Sequence, residues 1–150
     1  MYQKIIDSKL LIVFIIPFIL GIFTVFSFQP FNLTIINFLT IPLLFSILCY
    51  VNRRSKNVYR KKPYLINLFF VGYLFGIGFF LSGTYWISYS LTFDENLNIL
   101  IPFSIIMIPV CLGLFLGLAS LCIGPFMKNN YSSFLLFCFI FSFIDFLRGK

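Results

Sequence analysis

LFGIGFFLSGTYWISYSL, residues Leu74–Leu91, is the stretch that decides the fold. It carries no charge, and with the apolar run from Leu65 it is long enough to cross a bilayer, which takes about 20 apolar residues. Small residues form a seam along it: Gly72, Gly76 and Gly83 share one helical face, with Gly78 and Ser82 on an adjacent one. The segment ends in Tyr85, Trp86, Ser88, Tyr89 and Ser90. Rings with a polar tip favour the membrane–water interface.

Four more apolar segments flank it, at 10–28, 33–51, 99–126 and 132–147. Polar breaks separate them: Gln29-Pro30 with Asn32, the basic loop 52–63, Thr92–Asn98 with Asp94-Glu95, and Lys128–Asn130. Pro30 disfavours helix in the residue before it. Pro102 and Pro109 predict kinks that neighbouring helices can absorb. The expected fold is an all-α integral membrane bundle of about five transmembrane helices, forming one transmembrane domain over 1–150.

Composition agrees. Hydrophobic residues make up 61% of the chain, charged residues 10%, and the mean hydropathy is +1.04. A soluble domain carries roughly 25% charged residues, and no long segment here is polar enough to form one. Net charge is +7, and six of the eleven basic residues crowd into one loop: Arg53, Arg54, Lys56, Arg60, Lys61 and Lys62. A short basic loop between two spans argues for membrane orientation, and against a nucleic-acid partner. Lys4, Lys9 and Lys128 fall on the same side, while the break at 92–98 carries only acids. The positive-inside rule then puts the N-terminus and the basic loop in the cytoplasm and, after five spans, the C-terminus outside it. The first apolar run is read as an uncleaved helix, because it is long enough to span and lacks a small-residue cleavage pattern.

The chain has no histidine, and Cys49, Cys111, Cys122 and Cys138 all lie within apolar segments without a CxxC pair. Convergent metal ligands are therefore not expected, nor is any cofactor, and the cysteines read as small buried hydrophobes. A nucleophilic Cys or Ser needs a base and an orienting group, and no such constellation emerges, so no catalytic residue is assigned. Three features keep two readings each. The glycine seam is close helix packing or a thin surface that leaves room for a lipid chain. The Tyr85–Tyr89 cluster is an interfacial belt or the wall of a site at the outer leaflet. Asp145 and Arg148 are three apart and share a helix face, as an ion pair at the helix end or as participants in chemistry.

Three segments, in order, resemble the membrane half of bacterial apolipoprotein N-acyltransferases. Ser27-Phe28-Gln29-Pro30-Phe31 is similar to the family's Phe-x-Pro-aromatic break. Gly76-x-Gly78 followed by Ser82-Gly83-x-x-Trp86 is similar to its Gly-rich, Trp-ending helix. Asp145-Phe146-Leu147-Arg148-Gly149 resembles its Glu-x-Leu-Arg-Gly element, with Asp145 in place of the usual Glu. The resemblance covers nearly the whole chain.

It implies a multi-pass protein of the bacterial inner membrane whose helices carry a nitrilase-like domain on the periplasmic side. The implied reaction moves an acyl chain from a phospholipid to the N-terminal amine of a diacylglyceryl-cysteine on an apolipoprotein. The partners implied are the bilayer, a phospholipid acyl donor, and the apolipoprotein, reached through the catalytic domain. The implied Glu–Lys–Cys triad belongs to that domain, and none of the four cysteines here matches it. Gly76, Gly78, Ser82, Gly83, Trp86, Asp145, Arg148 and Gly149 are thus signature positions, structural or lining a lipid path. The expectation is a fragment, truncated product or split-gene piece, inactive alone, whose partner is a C-terminal half supplied separately. The alternative from a different class is a stand-alone membrane protein, such as an assembly subunit or small transporter. A transporter needs polar groups converging at mid-membrane, and the mid-span regions here are nearly free of charge.

Overall fold

The computed structural model describes residues 11–28, 31–58, 63–84, 101–128 and 130–148, and every regular element among them is helical. Five helices follow one another: α1 Leu11–Val25, α2 Ile35–Val58, α3 Pro63–Gly83, α4 Ile101–Ile123 and α5 Tyr131–Arg148. The expected segments are thus found, with shifted ends. α1 opens with a π-type turn over Leu11–Ile15 and stops at Val25, so Phe26–Phe28 belong to the turn that follows. That turn is closed by backbone bonds from Phe31 N and Asn32 N to the Phe28 carbonyl, at 3.1 and 3.0 Å. Asn32 adopts φ 52°, a left-handed conformation that Asn tolerates better than most residues.

The largest departure is at the C-terminal end of α2. The helix runs on to Val58, so Arg53, Arg54 and Lys56 are carried on helical backbone and not in a loop. Lys and Arg are good helix formers, and nothing in 52–58 breaks the helix. α3 starts at Pro63, where a missing N–H costs nothing because the first turn has no partner for it. The stretch of α3 expected beyond Thr84 lies outside the described residues. α4 continues through Pro109 as one helix and ends in a 3-10 turn over Gly124–Phe126.

Among the described residues three stretches are long and apolar enough to cross a membrane: Ile35–Arg53, Leu65–Gly83 and Pro102–Phe126. Leu11–Val25 and Tyr131–Leu147 are apolar but shorter. At 1.5 Å per residue they reach roughly 22 and 26 Å, and local thinning of the bilayer accommodates such mismatch. The bundle wears its apolar bulk outside: Phe38 is 82% and Phe139 67% exposed. In water that surface would be untenable, and in lipid it is the solvent-compatible face.

α3 is the axis of the bundle. It packs most extensively on α4, next on α1, and more lightly on α2, while α5 rests on α4. The core includes Leu44, Leu48, Leu68, Val71, Ile123 and Phe137. α2 and α5 meet through rings, Phe45 against Phe134 at 5.2 Å and against Phe137 at 5.5 Å.

Candidate functional site

Three of the four glycines expected along this seam, Gly72, Gly76 and Gly78, pack directly against a neighbouring helix. A Cβ on Gly76 would sit 2.8 Å from the Gly113 Cα and 3.1 Å from its carbonyl oxygen. Gly72 meets Ser120 Oγ and the Leu116 carbonyl in the same α3–α4 seam, and Gly113 would press on Tyr73 O at 3.2 Å. The other face of α3 is matched in the same way. Gly78 lies against the Phe18 carbonyl of α1, and Gly21 of α1 against the Phe75 carbonyl of α3. The seam is therefore filled by backbone, as small residues allow when helices associate in lipid. It leaves no groove at Gly76 or Gly78. Gly83 is different, since its nearest neighbour would be Val25 Cγ2 at 3.8 Å. Ser82 is half-buried one residue earlier.

Asp145 stands apart from these glycines. It lines, with Ser142 and Cys138 of α5, a cavity of about 250 Å³. Phe75 and Phe79 of α3, Leu116 of α4, Leu44 of α2 and Thr24 of α1 complete its walls, so all five helices contribute. Phe28 and Asn37 add a ring and an amide from the turn and from the start of α2. The cavity lies toward the end where α1 finishes, α2 begins and α5 finishes, opposite Arg53 and Lys128. Thr24 has its hydroxyl satisfied by the Leu20 carbonyl at 2.7 Å, whereas Asn37 Oδ1 is buried without a hydrogen-bond partner.

The lining is mostly apolar, with Thr24, Asn37, Ser142 and Asp145 among its polar members. Such a volume falls just below the roughly 300–1,000 Å³ of drug-sized ligand sites, and suits an apolar chain or ring more than a polar metabolite. Cys138 is the sole thiol in the lining, with no His or Lys beside it. Among the described lining residues no base stands beside this thiol, so they do not assemble a nucleophile with a base. Among the described residues no three His, Cys, Asp or Glu side chains converge as metal ligands.

Of the signature positions, Gly76, Gly78, Ser82 and Gly83 lie along α3 and Asp145 at the cavity rim. Arg148 is the last residue of α5, while Trp86 and Gly149 lie outside the described residues. Asn37 and Ser142 were missed from sequence. The available signal was a polar residue inside an otherwise apolar segment, which in lipid seeks a partner. The cysteines also differ from expectation. Cys111 and Cys122 are exposed on α4, and Cys49 and Cys138 are only half-buried, because the outside of a membrane bundle accepts apolar side chains as readily as its core.

Comparison with known proteins supplies the rest. Residues 20–150 match the family model described as the apolipoprotein N-acyltransferase N-terminal domain. The apolipoprotein N-acyltransferase of Rickettsia prowazekii is 33% identical over 136 residues, covering 90% of this chain and 25% of that protein. That of Rhizobium etli is 33% identical over 102 residues, covering 66% of this chain and 18% of its own length. The Brucella melitensis protein is 26% identical over 133 residues, with 87% and 24% covered. The chain thus spans about a quarter of the length of the Rickettsia and Brucella relatives. No solved structure gives a significant match.

Proposed function

Because this chain belongs to the apolipoprotein N-acyltransferase family, through its N-terminal domain, we propose that it is the membrane-anchoring region of such an enzyme. In that reading the enzyme moves an acyl chain from a phospholipid to the N-terminal amine of a diacylglyceryl-cysteine on an apolipoprotein. None of the four cysteines matches the Glu–Lys–Cys triad that the resemblance implies, and in this reading the 150 residues carry out no transfer alone. They fix the catalytic domain to the bilayer and give an acyl chain somewhere to lie.

The observation that carries this reading is the five-helix cavity bearing the signature residue Asp145 on its rim. Its apolar walls match the chemistry of an acyl chain. Its position, at the end remote from Arg53 and Lys128, matches an outward-facing leaflet under the positive-inside rule. The protein is then multi-pass in the bacterial inner membrane, with a cytoplasmic N-terminus and a periplasmic C-terminal side.

Complementation tests it. The chain is expressed in a bacterium depleted of its own N-acyltransferase, with and without a catalytic half supplied as a second polypeptide. Rescue only when both pieces are present is the expected result, and rescue by the 150 residues alone would overturn the claim of inactivity. For the lipid path, Ser142→Leu in an intact homologue fills the cavity mouth without touching the glycine seam. Acyl transfer should fall at normal expression, and full activity would sink that role. Gly76→Leu does not serve this purpose, because it breaks α3–α4 packing whatever the lipid does.

A further inference from the structure

At the basic end of the bundle a cavity of about 660 Å³ opens between the end of α2 and the connection from α4 to α5. Arg53 and Lys128 both line it, together with Asn52, Asn130 and Ser46. Its walls are tied down. The Asn52 Nδ2 donates to the Met127 carbonyl at 2.9 Å, and the Lys128 backbone N–H donates to Ser133 Oγ at 3.2 Å. Ser133 in turn donates to the Phe126 carbonyl at 3.1 Å. Asn52 is 2% exposed, and its Oδ1 is buried without a hydrogen-bond partner.

Depth then identifies the ligand. The membrane-length stretch of α2 ends at Arg53, which puts the guanidinium at the level of the lipid phosphates. Basic pockets between membrane helices at that level take phospholipid headgroups, and Arg pairs with phosphate through several N–H donors at once. Asn52, Ser46 and Asn130 add neutral polar groups to the lining beside the two cations. We propose that this cavity is a binding site for a phospholipid headgroup, a phosphodiester held by Arg53 and Lys128 against the Asn52 wall. It is separate from the cavity at the far end and does not depend on the reaction proposed for it.

The test uses the full chain in nanodiscs of phosphatidylcholine doped with phosphatidylglycerol, with retained lipid read by native mass spectrometry. R53Q/K128Q should lower phosphatidylglycerol retention about thirtyfold, taking the usual strength of two surface cations toward an anionic lipid. K61Q/K62Q removes the same formal charge from the chain and should lower retention clearly less. R53K/K128R, which keeps both charges, should hold most of it and so excludes misfolding as the cause. Equal losses in the two neutralised variants would mean general surface charge and would overturn the site. Inorganic phosphate is also titrated into phosphatidylcholine-only discs. A thermal shift that needs Arg53 and Lys128 there would assign the cavity to a soluble anion and overturn the lipid headgroup.

Discussion

The α1–α3–α4 side of the bundle and the α2–α5 side are built on different terms. On the first, Gly21, Gly72, Gly76, Gly78 and Gly113 bring backbones into direct contact. On the second, rings of Phe45, Phe134 and Phe137 keep the helices apart, and a docked turn holds one end. Every cavity described involves α2. A third cleft of about 490 Å³, apolar but for Thr40, separates α2 from α1, between Ile19, Phe23, Leu39 and neighbours. The lesson concerns what lipid permits. Without a hydrophobic force between helices, cohesion comes from close approach, so the glycine-poor side is also the side with room in it.

Substitutions can break that contrast or sharpen it. The largest effect should come from Gly76→Leu, which forces α3 away from the Gly113 backbone. The bundle should lose more than about 4 kcal/mol, in the exceptional class for single changes, seen as loss of a cooperative thermal transition in detergent. Phe137→Ala should cost roughly 2 kcal/mol. That is below the 3–5 typical of aqueous cores, because lipid contributes no transfer term, and a chemical unfolding series would measure it. A cost matching Gly76→Leu would erase the distinction between the two sides. Asn52→Ala leaves the Met127 carbonyl unpaired and should cost about 1 kcal/mol. Faster hydrogen exchange confined to the α4–α5 connection would report it. Gly83→Ala, with its nearest neighbour at 3.8 Å, should stay within about 0.5 kcal/mol. A larger loss would extend the glycine contact zone to the end of α3.

Much of this was legible beforehand, for physical reasons. Segment count follows from charge, because a Lys or Arg inside lipid is expensive and marks an end. The seam at Gly72 and Gly76 was visible as a four-residue spacing, but the spacing alone could not say whether backbone or lipid fills it. Helix ends were harder. Arg53–Val58 look like a loop to a hydropathy reading, yet the backbone has no reason to stop being helical where the lipid stops. The cavity was not legible at all. Asn37 and Asp145 are 108 residues apart in the chain, and only the crossing of five helices makes them neighbours.

The preference of α1 for α3 over its sequence neighbour α2 bears on the order in which the protein is made. Synthesis delivers α1, then α2, then α3, so the first pair of helices to enter the membrane is not the pair that locks. α2 must stand aside as a bystander until Gly78 arrives to seat on Phe18, some sixty residues after Phe18 itself. The α3–α4 clasp comes later still. Until α3 arrives α1 lacks its main packing partner, and the distance at which α2 settles shapes the cavities that the finished bundle keeps.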